Sequence, residues 1–176
     1  MYPSLAMTPA PSSLPDMKNK STEIPVIDIF AGPGGLSEGF HRYSWFRRDN
    51  ELAFKVLLSI EKESSAHKTL LMRAFVRQFS KGKLPDAYYD YAKCDSGPEK
   101  AEALKKIKQM KEWETAEDEA WLAELGKVDS KELNSRIRGK LHGKKNWILL
   151  GGPPCQAYSI MGRSRRLGLG KDVDLE

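Results

Sequence analysis

Short crowded runs of apolar residues alternate along this chain with stretches in which apolar residues recur every third or fourth position, as strands alternating with helices do. Val26, Ile27, Ile29 and Phe30 crowd residues 24–30, which a parallel strand covered on both faces requires. Gly32, Pro33, Gly34 and Gly35 break that run, and Leu36 and Phe40 resume at helical spacing over residues 36–42. A second strand is predicted over residues 54–60. Ser64 or Ser65 then caps a helix whose buried face carries Ala66, Leu70, Ala74 and Phe75. Residues 81–85 end it, and residues 86–92 predict a short, tyrosine-rich helix.

Residues 99–145 change in character. Leu104, Ile107, Met110 and Trp113 recur every third position, and Trp121 with Leu125 extends the stripe, which predicts one long amphipathic helix stopped by Gly126. Asp129 and Glu132 have capping-box spacing and open a further helix with Leu133, Ile137 and Leu141 on one face. Acidic and basic side chains are mixed throughout, the mark of a solvated helical face more than of a grip on nucleic acid. Another short buried strand, over residues 147–150, runs into Gly151, Gly152, Pro153, Pro154 and Cys155. The expected class is α/β with a parallel sheet. Residues 1–22, rich in Pro and Ser, read as a disordered tail without the features of a secretory signal, and the polar residues 159–176 read as a mobile loop.

Composition narrows the picture modestly. The 176 residues are 40% hydrophobic and 30% charged, with 14 Gly and 10 Pro, which excludes collagen-like and wholly disordered chains. No apolar run approaches the ~20 residues of a membrane span. Cys94 and Cys155 cannot build a disulfide framework, so a reducing, cytoplasmic setting is expected. Lys and Arg number 29 against 24 Asp and Glu, a net charge of +5 that hints at a polyanionic partner without deciding it. No metal is expected.

Two constellations carry candidate chemistry. In the first, the strand ending in Asp28, Phe30 and Ala31 passes through Gly32, Gly34 and Gly35 into a helix beginning near Leu36. Glycines admit a ligand close to the backbone, and a helix N-terminus offers free N–H groups, so this is the form of a nucleotide-type cofactor site. A tight strand-to-helix turn with no ligand has the same spacing, and the third spaced glycine of the dinucleotide pattern is missing. Glu61, at the end of the next strand, occupies the position that faces ribose hydroxyls in such folds. In the second, Cys155 follows two glycines and two prolines at the C-terminal end of a strand, where open α/β sheets place ligands. A lone cysteine is often a small buried hydrophobe. The rigid frame, the polar flank of Gln156 and Ser159, and the nearby Arg163, Arg165 and Arg166 favour a reactive thiolate instead.

Taken together, residues 28–35 and the run Gly151-Gly152-Pro153-Pro154-Cys155-Gln156-Ala157-Tyr158-Ser159 resemble the N-terminal part of the DNA (cytosine-5) methyltransferases, over about residues 24–166. The resemblance implies a Rossmann-like catalytic domain over residues 23–176 that binds S-adenosylmethionine. Within it Asp28, Phe30, Ala31, Gly32, Gly34, Gly35, Leu36 and Pro154 line the cofactor, and Glu61 takes the ribose hydroxyls. Asp95 is the expected acidic partner of the adenine amino group, with Asp90 in competition. Cys155 is the implied nucleophile towards a cytosine flipped out of double-stranded DNA. Gln156, Ser159, Gly162, Arg163 and Arg165 are the implied nucleic-acid contacts, and a restriction-modification role is implied. Trp147 stands where the family commonly has a small acidic or polar residue. The long interval between Glu61 and Cys155 makes residues 99–145 look like a helical insertion in an incomplete sheet. The family's Glu-Asn-Val and Arg-x-Arg segments and its target-recognition region are absent, so an N-terminal piece, inactive alone, is expected. An RNA cytosine methyltransferase of the same architecture and a non-catalytic remnant that binds cofactor or nucleic acid are the competing readings.

Overall fold

The computed structural model describes residues 23–43, 53–80 and 82–152. The tail at 1–22 and every site residue expected from Pro154 onward, namely Pro154, Cys155, Gln156, Ser159, Gly162, Arg163 and Arg165, lie outside them. The elements run β1 (Ile24–Ile29), α1 (Gly35–Tyr43), β2 (Phe54–Glu61), α2 (Ser64–Arg77), α3 (Asp86–Lys93), α4 (Pro98–Lys108), α5 (Lys111–Glu119), β3 (Ala120–Leu122), α6 (Ser130–Leu141) and β4 (Ile148–Gly151).

The four strands form one parallel sheet in the order β3-β2-β1-β4. Chain order runs outward from β1 to β3 on one side, then returns to place β4 on the other side of β1. That reversal puts a topological switch point between β1 and β4, the place where open α/β sheets bind ligands beyond the carboxyl ends of their strands. A register shift between Val26 and Ile27 leaves Leu57 as the extra residue of a bulge in β2, and beyond it Asp28 lies beside Ser59.

Both faces of β1 and β2 are covered, as central parallel strands require, whereas the strand expected to be buried over residues 147–150 is not: β4 is the outer strand of the described sheet, paired on one side with β1, and Leu149 is 54% exposed. On one face Leu70, Ala74 and Phe75 of α2 pack with Ile107, Trp113 and Ala116 of α4 and α5. On the other, Leu141 of α6 closes over Ile27, Leu58 and Ile60, with Leu133 and Ile137 packed alongside. The neighbours Ala120 and Trp121 join different clusters, the alternation a strand imposes. The fold is a Rossmann-like α/β sheet with helices packed on both sides.

Three further expectations need correction. The stripe from Leu104 to Leu125 is not one helix. α4 stops at Lys108, a turn at Gln109 and Met110 restarts the chain as α5, and residues 120–122 are a strand. Breaking the helix lets Ile107 and Trp113 enter the same cluster, and pairing of Ala120 with Ser59 draws the next residues into the sheet. Residues 99–145 are thus mostly helical, as expected, yet they supply an edge strand and part of the core. Finally, Glu63, not Ser64 or Ser65, caps α2: its carboxylate accepts the N–H groups of Ser65 at 2.9 Å and Ala66 at 2.6 Å. Asp129 caps α6 as its spacing predicts, accepting from Lys131 at 2.7 Å and Glu132 at 3.2 Å.

Candidate cofactor site at the strand ends

The site is built where β1 leaves the sheet. Phe30 takes a positive φ of 55°, uncommon for a residue with a side chain, and leaves its ring 36% exposed at the rim. The Ala31 N–H then bonds the Ile60 carbonyl at 3.0 Å, tying the departing chain to the end of β2. Gly34 completes a turn onto the Ala31 carbonyl at 2.9 Å with φ of 84°, and a Cβ there would lie 2.9 Å from Leu70 Cδ1. Only glycine meets both demands, so the turn sits directly on α2 and delivers the N-terminus of α1 to the rim.

Glu61 reaches this turn from the end of β2. One carboxylate oxygen accepts the Gly32 N–H at 2.7 Å, and the other accepts those of Lys62 at 2.9 Å and Glu63 at 2.7 Å. From the far side β4 arrives with Gly151 and Gly152. A Cβ on Gly152 would stand 3.9 Å from both Leu36 Cδ1 and the Phe30 carbonyl. The structure therefore brings Asp28, Phe30, Ala31, Gly32, Gly34, Gly35, Leu36 and Glu61 together at the switch point, beside the strand that leads to Cys155.

Asp95 is not among them. It lies exposed in the turn between α3 and α4, where Lys100 Nζ approaches its carbonyl at 3.4 Å, and Asp90, its competitor, lines a separate surface groove with Lys93 and Cys94. A second acidic group near the rim is Glu124, two residues past β3. A small cavity of about 70 Å³ beside Phe30 is lined by Ile60, Lys62, Ala123, Glu124 and Leu125. Hydrogen bonding from Lys127 at 2.9 Å, with Lys62 at 3.7 Å, holds the Glu124 carboxyl below its ordinary range. Its sequence signal was an acid just after a strand, concealed because β3 reads as helix.

Beneath the turn lies a polar layer that periodicity does not reveal. Asp28 is fully buried, and neither carboxylate oxygen has a hydrogen-bond partner among the described residues. Burial pushes its carboxyl above the ordinary range. Ser37 partly draws it back, although the Ser37 hydroxyl is itself committed to the Gly34 carbonyl at 3.2 Å and makes no hydrogen bond of good geometry to Asp28. Arg77, with its side chain 4% exposed, bridges Glu38 of α1 at 3.4 Å and Glu119 at the end of α5. Burial raises the Glu119 carboxyl, and Arg77 opposes that rise.

One known protein is similar to this chain in sequence. The Type II methyltransferase M.Bpa9945I of Bacillus paralicheniformis is 29% identical over 163 residues, covering 84% of this chain and 34% of that protein. The chain resembles a methyltransferase. It spans about a third of the length of that relative. No protein-family model and no solved structure matches the chain. A methyltransferase-type sheet and a glycine turn with an acid at the end of β2 agree with that likeness. Among the described residues no helix is long and apolar enough to cross a membrane, and no group of three or more metal-binding side chains occurs.

Proposed function

We propose that this chain carries the cofactor-binding and nucleophile-bearing part of a DNA (cytosine-5) methyltransferase that uses S-adenosylmethionine, with a role in restriction-modification. The observation that carries the proposal is the convergence of the glycine turn, Glu61 and the end of β4 on one rim, with Cys155 three residues beyond Gly152 in the Pro-Cys-Gln segment.

The residues present fit the cofactor. Gly32 and Gly35 have open space where a Cβ would stand, so a ligand can approach the backbone there, and the first turn of α1 leaves N–H groups for a carboxylate. The orphaned Asp28 carboxylate lies under that turn, suited to a nearby ammonium group. Glu61 would accept a ribose hydroxyl, Phe30 and Leu125 would flank the base, and Glu124 would take the place expected of Asp95 towards an amino group on the purine. When bound, S-adenosylmethionine supplies an electrophilic methyl group on its sulfonium. The Cys155 thiolate adds to carbon 6 of a flipped cytosine, which breaks aromaticity and makes carbon 5 nucleophilic. Once carbon 5 has gained the methyl group, loss of its proton and expulsion of the thiolate would restore the ring as 5-methylcytosine. Gln156, Ser159, Gly162, Arg163 and Arg165 are proposed to contact the nucleic acid.

Two measurements test the reading. Calorimetry should detect S-adenosylmethionine binding, weakened by about 1.5–3 kcal/mol in Glu61→Ala through loss of charge-assisted hydrogen bonds. In the complete protein, duplex DNA bearing 5-fluorocytosine should trap a denaturation-stable adduct that Cys155→Ala abolishes and Cys94→Ser leaves intact. Trapping on RNA but not on DNA would move the substrate to RNA. Trapping that persists in Cys155→Ala would sink the assignment of the nucleophile.

A further inference from the structure

The Glu61 carboxylate is already spoken for by the protein itself. Among the described residues its three N–H partners come from two separate segments: Gly32 on the turn after β1, and Lys62 with Glu63 on the exit from β2. Glu63 in turn caps α2, so the carboxylate stands between a fixed helix start and the glycine turn. The contact to Gly32 spans 29 residues of sequence. Beside it, the backbone bond from Ala31 to Ile60 at 3.0 Å makes a second, independent tie between the same two strand ends.

We infer that Glu61 is a latch that holds the glycine turn in its binding shape before any ligand arrives, and that this duty leaves it only one free acceptor position. A carboxylate oxygen has two lone-pair sites. The oxygen facing Lys62 and Glu63 uses both, whereas the oxygen facing Gly32 uses one. A ligand with two neighbouring hydroxyls therefore finds one direct acceptor on Glu61, unless a latch bond breaks. The Gly32 N–H is likewise engaged and unavailable to a ligand anion, which leaves that task to the first turn of α1. Holding the turn in place beforehand removes an ordering cost from binding, so Glu61 is a positioning residue as well as an acceptor.

The latch is tested on the ligand-free chain by residue-resolved amide hydrogen exchange. In Glu61→Ala, and in Glu61→Asp, which keeps the charge on a shorter arm, Gly32 should exchange at least tenfold faster while Ala31 stays within about twofold. Unchanged exchange at Gly32, or equal acceleration at Gly32 and Ala31, would overturn the latch. The acceptor count rests on the proposed cofactor and is tested with S-adenosylmethionine and its 2′-deoxy and 3′-deoxy forms. One deoxy form should bind about tenfold more weakly and the other within threefold of the parent. Equal losses for the two overturn the single free position. Failure of all three to bind overturns the cofactor reading, while the exchange result stands by itself.

Discussion

Replacing Gly34 by alanine isolates what the glycine turn needs from the fold. At φ of 84° a side chain costs about 1–2 kcal/mol in the left-handed region. The new Cβ would also stand 2.9 Å from Leu70 Cδ1, on a side chain fully buried between the turn and the rest of α2. Overpacking of that kind costs about 1–3 kcal/mol, so Gly34→Ala is expected to lose about 2–5 kcal/mol in all. Two neighbours separate the contributions. Gly32→Ala has positive φ but open space, and should lose only the backbone part. Gly35→Ala has open space and starts α1, and should change stability by at most about 1 kcal/mol, towards greater stability. Urea unfolding followed by circular dichroism gives the three values. Adding Leu70→Ala to Gly34→Ala should recover the overpacking share as a coupling of about 1–3 kcal/mol. Equal losses at Gly34 and Gly35, or no coupling to Leu70, would refute the packing of the turn on α2.

Asp28 carries a pH signature. Its carboxyl is raised above the ordinary 3.8 by burial, so just above that pH the unfolded chain releases a proton that the folded chain keeps, and stability falls as pH rises through the window. Asp28→Asn should therefore gain on the wild type as pH climbs from about 4 towards neutrality, and parallel stability curves would exclude burial as the cause. Glu63→Ala should lower the melting temperature because two N–H groups at the start of α2 lose their acceptor, whereas Ser64→Ala should not. Because Glu63 is held below its ordinary range, its share of stability is lost as pH falls through its folded value. An equal effect from Ser64→Ala would return the cap to the serine.

The strands over residues 24–29 and 54–61 and the helix spanning Leu70, Ala74 and Phe75 were legible because burial on both faces or on one stripe leaves a local mark on apolar spacing, and the strand over residues 148–151 showed as a short apolar run although Leu149 is largely exposed. The glycine turn and Glu61 were legible for a related reason: a sharp exit from a strand and an acid at the end of the next are features of adjacent residues. The strand Ala120–Leu122 was not, because three residues show no period and their extended form comes from pairing with β2, far away in sequence. Glu124, two residues past that strand, was hidden with it. Nor could spacing reveal that Arg77 lies between Glu38 and Glu119, or that Asp28 is buried with no hydrogen-bond partner among the described residues. Local sequence specifies which residues turn, cap and bury. Which charges meet, and which acid reaches the rim, depends on helices and strands that come together only when the sheet closes, because those contacts join residues that share no local pattern.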